Sequence, residues 1–287
     1  MEKTSANIGT FIDLRRNWAF KTIFGTAGNE DLLLALIQSI LPEKEITAVT
    51  LIPTEHLGIR ESARSAVFDT SCKTSSGDFI FVEMQFSEQD DFGDRMLFYS
   101  SFPIFNSLVK GEAGYTLKAP VYIIGILNFI MPDVPVNDRL VNRYRMLNVL
   151  DSNSELSGNL TCVTLELPKF TKSISELKTI ADKFFYSLAH ISEMAERPAS
   201  FCEDILEKLY EKCSFASMTY EQQHAYIRSI MADIDECSRI RTAQEKGEAI
   251  GRAETARETA KKLRELGVKI SVISQATGLT VAEVQQL

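Results

Sequence analysis

The sequence is poor in the residue types on which several kinds of site depend. Its three histidines, His56, His190 and His224, lie far apart, and its five cysteines form no Cys-x-x-Cys pair. This spacing argues against a zinc site and a disulfide framework, and no Ser-His-Asp or Cys-His set can be recognised. Free thiols of this kind are typical of a reducing compartment, so we expect a cytoplasmic protein.

Long apolar runs and an excess of positive charge are also missing. No stretch approaches the roughly 18 apolar residues of a transmembrane helix, and the first residues show no signal-peptide pattern, so we expect no membrane association. The formal net charge is −8, from 31 Lys and Arg against 39 Asp and Glu. This balance argues against tight nonspecific binding of DNA, although a local basic surface can still contact it.

What the sequence does contain is a pair of strand-like segments joined by a turn signal. Residues 79–86 are rich in aromatic and β-branched side chains, which favours a β-strand. The segment Ser75-Ser76-Gly77-Asp78 is typical of a turn, and residues 65–73 form the run before it. The sequence therefore predicts a β-hairpin here.

The length of that turn decides whether two carboxylates meet. Side chains alternate along a strand, so Glu83 and Gln85 point to one face. A three-residue turn places Asp69 opposite Glu83, with Cβ atoms about 4.5–5.5 Å apart, whereas a two-residue turn places it opposite Met84. Carboxylates that close repel each other unless a cation lies between them, and hard oxygen ligands favour Mg²⁺ or Mn²⁺. The spacing fits a metal-dependent nuclease centre, and it also fits two ordinary solvent-facing acids.

Several short segments follow one another in an order that is typical of one family. They are Phe20-Lys21 with Phe24-Gly25, then Asp69, then Glu83-Met84-Gln85, then Arg95 with Tyr99, then Pro120-Val121-Tyr122-Ile123-Ile124. In this order they resemble the Rpn family of recombination-promoting nucleases and transposases, within the PD-(D/E)XK nuclease superfamily. The resemblance covers residues 11–240. It implies an α/β fold with a mixed sheet flanked by helices, and Mg²⁺-dependent endonuclease activity on DNA.

The resemblance also implies roles for individual residues. Asp69 and Glu83 match the family's two acidic metal ligands, and both would be catalytic. Gln85 stands where the wider superfamily usually has lysine, so it could orient water but supplies no positive charge, and the metal must do more of that work. Arg95 shares a helical face with Tyr99 on the helix after the hairpin, which leans over the site in this superfamily. Arg95 could therefore contact a phosphate, or it could form an ordinary salt bridge.

One position departs from the family's pattern. The residue three before Phe20 is usually aspartate in the family, whereas this chain has Asn17. Asp13 lies one predicted helical turn earlier and could take over a supporting role from the same face. Asn17 and the acidic charge balance keep a second interpretation open, a weakly active or inactive module of the same fold that binds DNA or another protein.

Residue periodicity predicts the remaining elements and a second region. Helices are expected over residues 14–25, 29–41 and 91–110, the last interrupted near Pro103, with strands over 46–52, 121–129 and 160–167 and helices from 173 onward. Residues 240–267 predict a long exposed helix. Residues 268–287 predict a helix-turn-helix-like pair in which Thr280 and Glu283 form a capping box, suited to contacting DNA, to packing or to forming a homodimer. We expect a PD-(D/E)XK restriction-endonuclease-like domain over residues 8–240 and a helical extension over residues 241–287.

Overall fold

Apolar runs between turn signals form the strands of a central sheet. The computed structural model describes residues 9–56, 66–106, 119–132 and 137–287. The strands in these ranges are β1 (Val49–Leu51), β2 (Glu55–His56), β3 (Ala66–Val67), β4 (Thr70–Thr74), β5 (Phe79–Gln85), β6 (Val121–Leu127), β7 (Val141–Tyr144), β8 (Leu147–Asn148), β9 (Asp151–Glu155) and β10 (Leu160–Glu166). Six of them form one mixed sheet in the order β1-β4-β5-β6-β10-β7, and β2-β3 and β8-β9 form separate pairs.

The sheet changes from antiparallel to parallel pairing at β5. Strands β1, β4 and β5 pair antiparallel, whereas β5, β6 and β10 run parallel to one another and β7 is antiparallel to β10. Every residue of β6 and of β10 is buried. The expectation of a central strand buried on both faces is confirmed for β6, because a strand with parallel neighbours on both sides is covered on both faces.

Helices form the other main elements of the structure. In the described residues they are α1 (Asn17–Phe24), α2 (Glu30–Ile40), α3 (Phe92–Asn106), α4 (Ile180–His190), α5 (Asp204–Cys213), α6 (Tyr220–Glu265), α7 (Ile270–Thr277) and α8 (Val281–Gln286). Short 3₁₀ turns cover Leu167–Lys169, Ile174–Glu176, Ile191–Glu193 and Phe215–Ser217. The α/β expectation of a mixed sheet flanked by helices is confirmed.

Two details of the predicted helices are wrong. Helix α1 begins at Asn17 rather than at residue 14, because Arg16 is its N-cap and has an extended backbone. The interruption expected near Pro103 is absent from the described residues, where α3 continues through Pro103 as far as Asn106. A proline removes one backbone donor, and α3 accommodates that loss without ending.

Helix α3 packs against the sheet through aromatic and aliphatic side chains. Phe92 and Met96 of α3 share a buried cluster with Phe81 of β5 and Ile123 of β6. Gly125 of β6 permits this close contact, because a Cβ atom there would lie 2.7 Å from the Phe92 ring. The cluster fixes α3 above the face of β5 that carries the odd-numbered residues.

The polar segment between residues 141 and 155 was not predicted to form strands. It supplies the edge strand β7 and the pair β8-β9. The side chains of β8 and β9 are almost all exposed, so the apolar alternation that normally marks a strand is absent from their sequence.

The chain divides into two compact units, residues 1–226 and residues 227–287. The expected boundary after residue 240 stays a prediction, and that position lies within α6. In the second unit, α7 is capped at its C-terminus by Gly278, whose φ of 75° is left-handed, and α8 begins with the predicted capping box of Thr280 and Glu283. The predicted helical pair is therefore confirmed.

Within the described ranges, no helix is both long enough and apolar enough to cross a bilayer.

Candidate active site

The hairpin of β4 and β5 has the register that brings two carboxylates together. Its turn consists of residues 75–77, and Thr70 faces Val82 across the two strands. Continuing this register by one residue sets Asp69 opposite Glu83. The structure thus has the three-residue turn of the two alternatives, in which Asp69 faces Glu83.

Asp69 and Glu83, from here on the carboxylate pair, are almost fully buried. Their exposed fractions are 3% and 4%. The Asp69 Oδ2 atom accepts a 2.7 Å hydrogen bond from the backbone N–H of Met84, and the backbone N–H of Asp69 donates to the Glu83 carboxylate. The Glu83 Oε2 atom is buried and has no hydrogen-bond partner. A buried carboxylate oxygen without a hydrogen-bond partner destabilises the fold, so its presence calls for an explanation.

The carboxylate pair holds protons more tightly than ordinary acids. Burial raises the pKa of Asp69 to about 6, against the hydrogen bond from Met84 and the nearby charges of Lys21 and Arg95. Burial, and next the negative charge of Asp69, raise the pKa of Glu83 to about 8. At neutral pH the pair therefore does not carry two full negative charges unless a cation compensates them.

Helix α3 places Arg95 against this pair. The Arg95 Nη2 atom forms an ion pair with Glu83 Oε1, and its Nη1 atom donates to Gln89 Oε1 at 3.0 Å and to Gln85 Oε1 at 3.3 Å. The guanidinium carbon lies 5.0 Å from the ring centre of Tyr99. Arg95 is thus held by the site itself, which is the salt-bridge alternative for this residue.

Gln85 and Tyr99 position that arginine. While Gln85 Oε1 accepts from Arg95, Gln85 Nε2 donates to the carbonyl oxygen of Ser87 at 3.3 Å, so both ends of the amide are used. The Tyr99 ring meets Phe68 edge-on, with ring centres 5.0 Å apart. The structure therefore brings together five of the candidate site residues, which are Asp69, Glu83, Gln85, Arg95 and Tyr99.

Helix α1 approaches the same pair. The side chain of Asn17 hydrogen-bonds the Asp69 carboxylate, so the residue that departs from the family's pattern supports the site as a neutral donor. Two turns further on, Gly25 lies against the backbone of Asp69, since a Cβ atom there would be 3.1 Å from the Asp69 carbonyl oxygen. Glycine at this position lets the end of α1 pack directly on the strand.

Lys21 is the residue that the sequence prediction left without a role. It lies one helical turn after Asn17, and its charge lowers the pKa of both Asp69 and Glu83. Its i, i+4 spacing from Asn17 places the two residues on the same helical face. The sequence did not show that this face lies against Asp69, so it gave no reason to assign Lys21 to the site.

Asp13 is not part of this arrangement. The expectation that it shares a helical face with Asn17 is wrong, because α1 begins at Asn17 and Asp13 precedes it. The Asp13 carboxylate instead accepts from Arg15, with Oδ1 2.8 Å from Nε and Oδ2 3.1 Å from Nη2. Its backbone N–H donates to the Tyr226 hydroxyl at 2.9 Å.

The carboxylate pair suits a divalent cation, although it is only part of a ligand set. No group of three or more His, Cys, Asp or Glu side chains close enough to hold a metal ion occurs in the part of the chain that the structure describes. The two buried carboxylates, with the unpartnered Glu83 oxygen, offer hard oxygen ligands of the kind that divalent cations take. These residues therefore fit a divalent cation.

Comparison with known families agrees with this geometry. The model of the PD-(D/E)XK nuclease family transposases matches residues 14–243, a range that contains the whole carboxylate site. The chain belongs to this family. The mixed sheet flanked by helices is accordingly a PD-(D/E)XK fold, and the hairpin of β4 and β5 supplies two of its six strands. Searches among curated proteins and among solved structures gave no significant match.

Proposed function

We propose that this PD-(D/E)XK family member is a divalent-metal-dependent DNA endonuclease acting in the cytoplasm on recombining or mobile DNA. The observation that carries the proposal is the carboxylate pair, with its opposed register, its burial and its unpartnered Glu83 oxygen. Membership of a nuclease and transposase family supports the same reaction class. Burying two acids without a function would be a net cost in stability.

In this proposal each residue of the site has a definite task. Asp69 and Glu83 would hold Mg²⁺ or Mn²⁺ through their carboxylate oxygens. A cation held there supplies Lewis-acid stabilisation of the negative charge that develops during phosphodiester hydrolysis. Asn17 orients the Asp69 carboxylate through its hydrogen bond, and Arg95, held by Gln85 and Tyr99, limits the repulsion between the two acids.

A specific observation favours a second candidate. Arg95 already compensates one carboxylate through its ion pair with Glu83, so the site carries an internal cation. A site compensated in this way fits a weakly active or inactive module that binds DNA or a protein, including a second copy of this chain through the C-terminal helices. The two candidates differ in whether an added divalent cation produces cleavage.

Nicking of a supercoiled plasmid by the purified full-length chain separates them. The endonuclease proposal predicts open-circular and linear products with Mg²⁺ or Mn²⁺ and intact plasmid with EDTA. Asp69→Ala protein purified in parallel controls for contaminating nuclease. Intact plasmid under every divalent-metal condition would instead support the inactive module.

A further inference from the structure

Two positively charged side chains act on the carboxylate pair, one from each flanking helix, and they differ in how they are held. Arg95 of α3 is bound by Glu83, Gln85 and Gln89. Lys21 of α1 is exposed, and its side chain has no hydrogen bond or ion pair among the residues that the structure describes. Its charge nevertheless acts on both carboxylates.

The position of Lys21 is fixed by its neighbours on α1 rather than by contacts of its own. One turn before it, Asn17 hydrogen-bonds the Asp69 carboxylate. One turn after it, Gly25 packs against the Asp69 backbone. Residues four apart lie on the same face of a helix, so the helical face that carries Lys21 is anchored on Asp69 from both sides. A flexible lysine on an anchored helix keeps its ammonium group near the site without being bound by it.

The site lacks a free positive charge on the strand itself. Gln85 is a neutral amide, and both of its ends are occupied by Arg95 and by the Ser87 carbonyl oxygen. Phosphodiester hydrolysis concentrates negative charge on the phosphoryl oxygens, which positive groups stabilise. Among the cations that act on the carboxylate pair, Arg95 is held by the protein, whereas Lys21 is available to a phosphate.

We propose that Lys21 is a catalytic residue that contacts the reacting phosphate and supplies, from α1, the positive charge that Gln85 cannot supply from β5. This inference rests on the proposed endonuclease function. It assigns to the first helix a role beyond support of the sheet.

Three variants of the full-length chain test the proposal. Lys21→Met removes the charge and keeps the length of the side chain, and Lys21→Arg keeps the charge. Lys212→Met is the matched control, because Lys212 is an exposed lysine near the end of α5. An unchanged melting temperature for all three variants is expected, since neither lysine forms an ion pair or hydrogen bond within the described ranges.

Cleavage of a labelled duplex in Mg²⁺ is the first measurement. Lys21→Met is expected to lose about 100-fold in the single-turnover rate, the scale of removing one group that stabilises transition-state charge. Lys21→Arg is expected to retain most of the rate, and Lys212→Met all of it.

Binding of the same duplex in Ca²⁺ with Mg²⁺ omitted is the second measurement and does not depend on turnover. Loss of one phosphate contact is expected to weaken binding and to reduce the slope of log K against log salt by about one. Lys212→Met is expected to keep the wild-type slope.

The outcomes are distinct. If the wild type cleaves DNA and Lys21→Met cleaves it at the same rate, this inference alone is overturned. It is also overturned if Lys21→Met cleaves slowly but its salt dependence of DNA binding has the slope of the wild type. Failure of Lys21→Arg to restore the rate also overturns it, because the proposal requires only the charge. A wild-type chain that cleaves no DNA with any divalent cation overturns the proposed function and this inference with it.

Discussion

The two units of the chain differ in the burial of their notable charged side chains. In the first unit, Asp69 and Glu83 are buried, and their pKa values are raised by that burial. In the second unit, the charged residues of α6 beyond residue 240 are all exposed, and a buried apolar cluster consists of Ala260, Ile273 and Val284. Exposed charges on a helix change the free energy of folding little and reveal little about function. A buried pair of like charges, in contrast, destabilises the fold. The contrast indicates that the carboxylate pair lowers the stability of the first unit, as the proposed active site would, and that apolar packing stabilises the second.

The largest effect that this contrast predicts is on cleavage. Asp69→Ala removes one of the two proposed metal ligands and is expected to lower the cleavage rate at least about a thousandfold, on the order of 4 kcal/mol in the barrier. Glu254→Ala, at an exposed acid of α6, is expected to cleave as the wild type does. Comparable nicking by the two variants would remove the distinction between the units.

The second unit should instead respond to loss of apolar volume. Ile273→Ala is expected to destabilise residues 227–287 by about 2–5 kcal/mol, because Ile273 is fully buried in a very small core. Val272→Ala on the same helix is the control, since Val272 is half exposed and its loss should cost little. Amide hydrogen exchange resolved along the chain measures both effects. Equal protection in the two variants would show that the core cluster does not hold this unit.

The pH dependence of stability sharpens the comparison further. Both acids have folded-state pKa values above their ordinary values, so the folded chain binds more protons than the unfolded chain between about pH 4 and pH 8. Without divalent metal, the free energy of unfolding should therefore fall as the pH rises through this window. Glu83→Gln should flatten the decline, and Glu254→Gln should leave it unchanged. Denaturant unfolding at several pH values measures this, and a parallel decline in Glu83→Gln would contradict it.

The smallest effect concerns the support of Arg95. Gln85→Ala removes the oxygen that accepts from Arg95 Nη1, and it is expected to lower the cleavage rate by about tenfold, the equivalent of ~1.4 kcal/mol. Gln89 also accepts from the same atom, which keeps the loss moderate. Wild-type activity in Gln85→Ala would show that Gln89 and Glu83 are enough to hold the arginine.

The sequence was informative where a local rule decides the structure. The parity of the hairpin follows from turn length, and the burial of β6 follows from an uninterrupted apolar run. The capping box of α8 follows from the spacing of Thr280 and Glu283. Each of these depends on residues close together in the chain.

The sequence was uninformative where distant segments meet. The hydrogen bond from Asn17 to Asp69 joins residues of α1 and the hairpin, and no local pattern announces it. For Arg95 the sequence left a phosphate contact and a salt bridge as alternatives, because only the packing of α3 on the sheet brings Arg95 to Glu83. The placement of Asp13 was wrong because the start of α1 depends on the extended backbone at Arg16.

Binding of Mn²⁺ tests most directly whether the carboxylate pair is a metal site. Isothermal titration of the wild-type chain and of Asp69→Asn/Glu83→Gln near pH 7, repeated in buffers of different ionisation enthalpy, measures affinity and proton release together. The account predicts that the wild type binds Mn²⁺ and releases protons, because the raised pKa values leave the pair partly protonated before binding. It predicts that the double variant does not bind. Equal affinity in the two proteins, or no binding by the wild type, would contradict it.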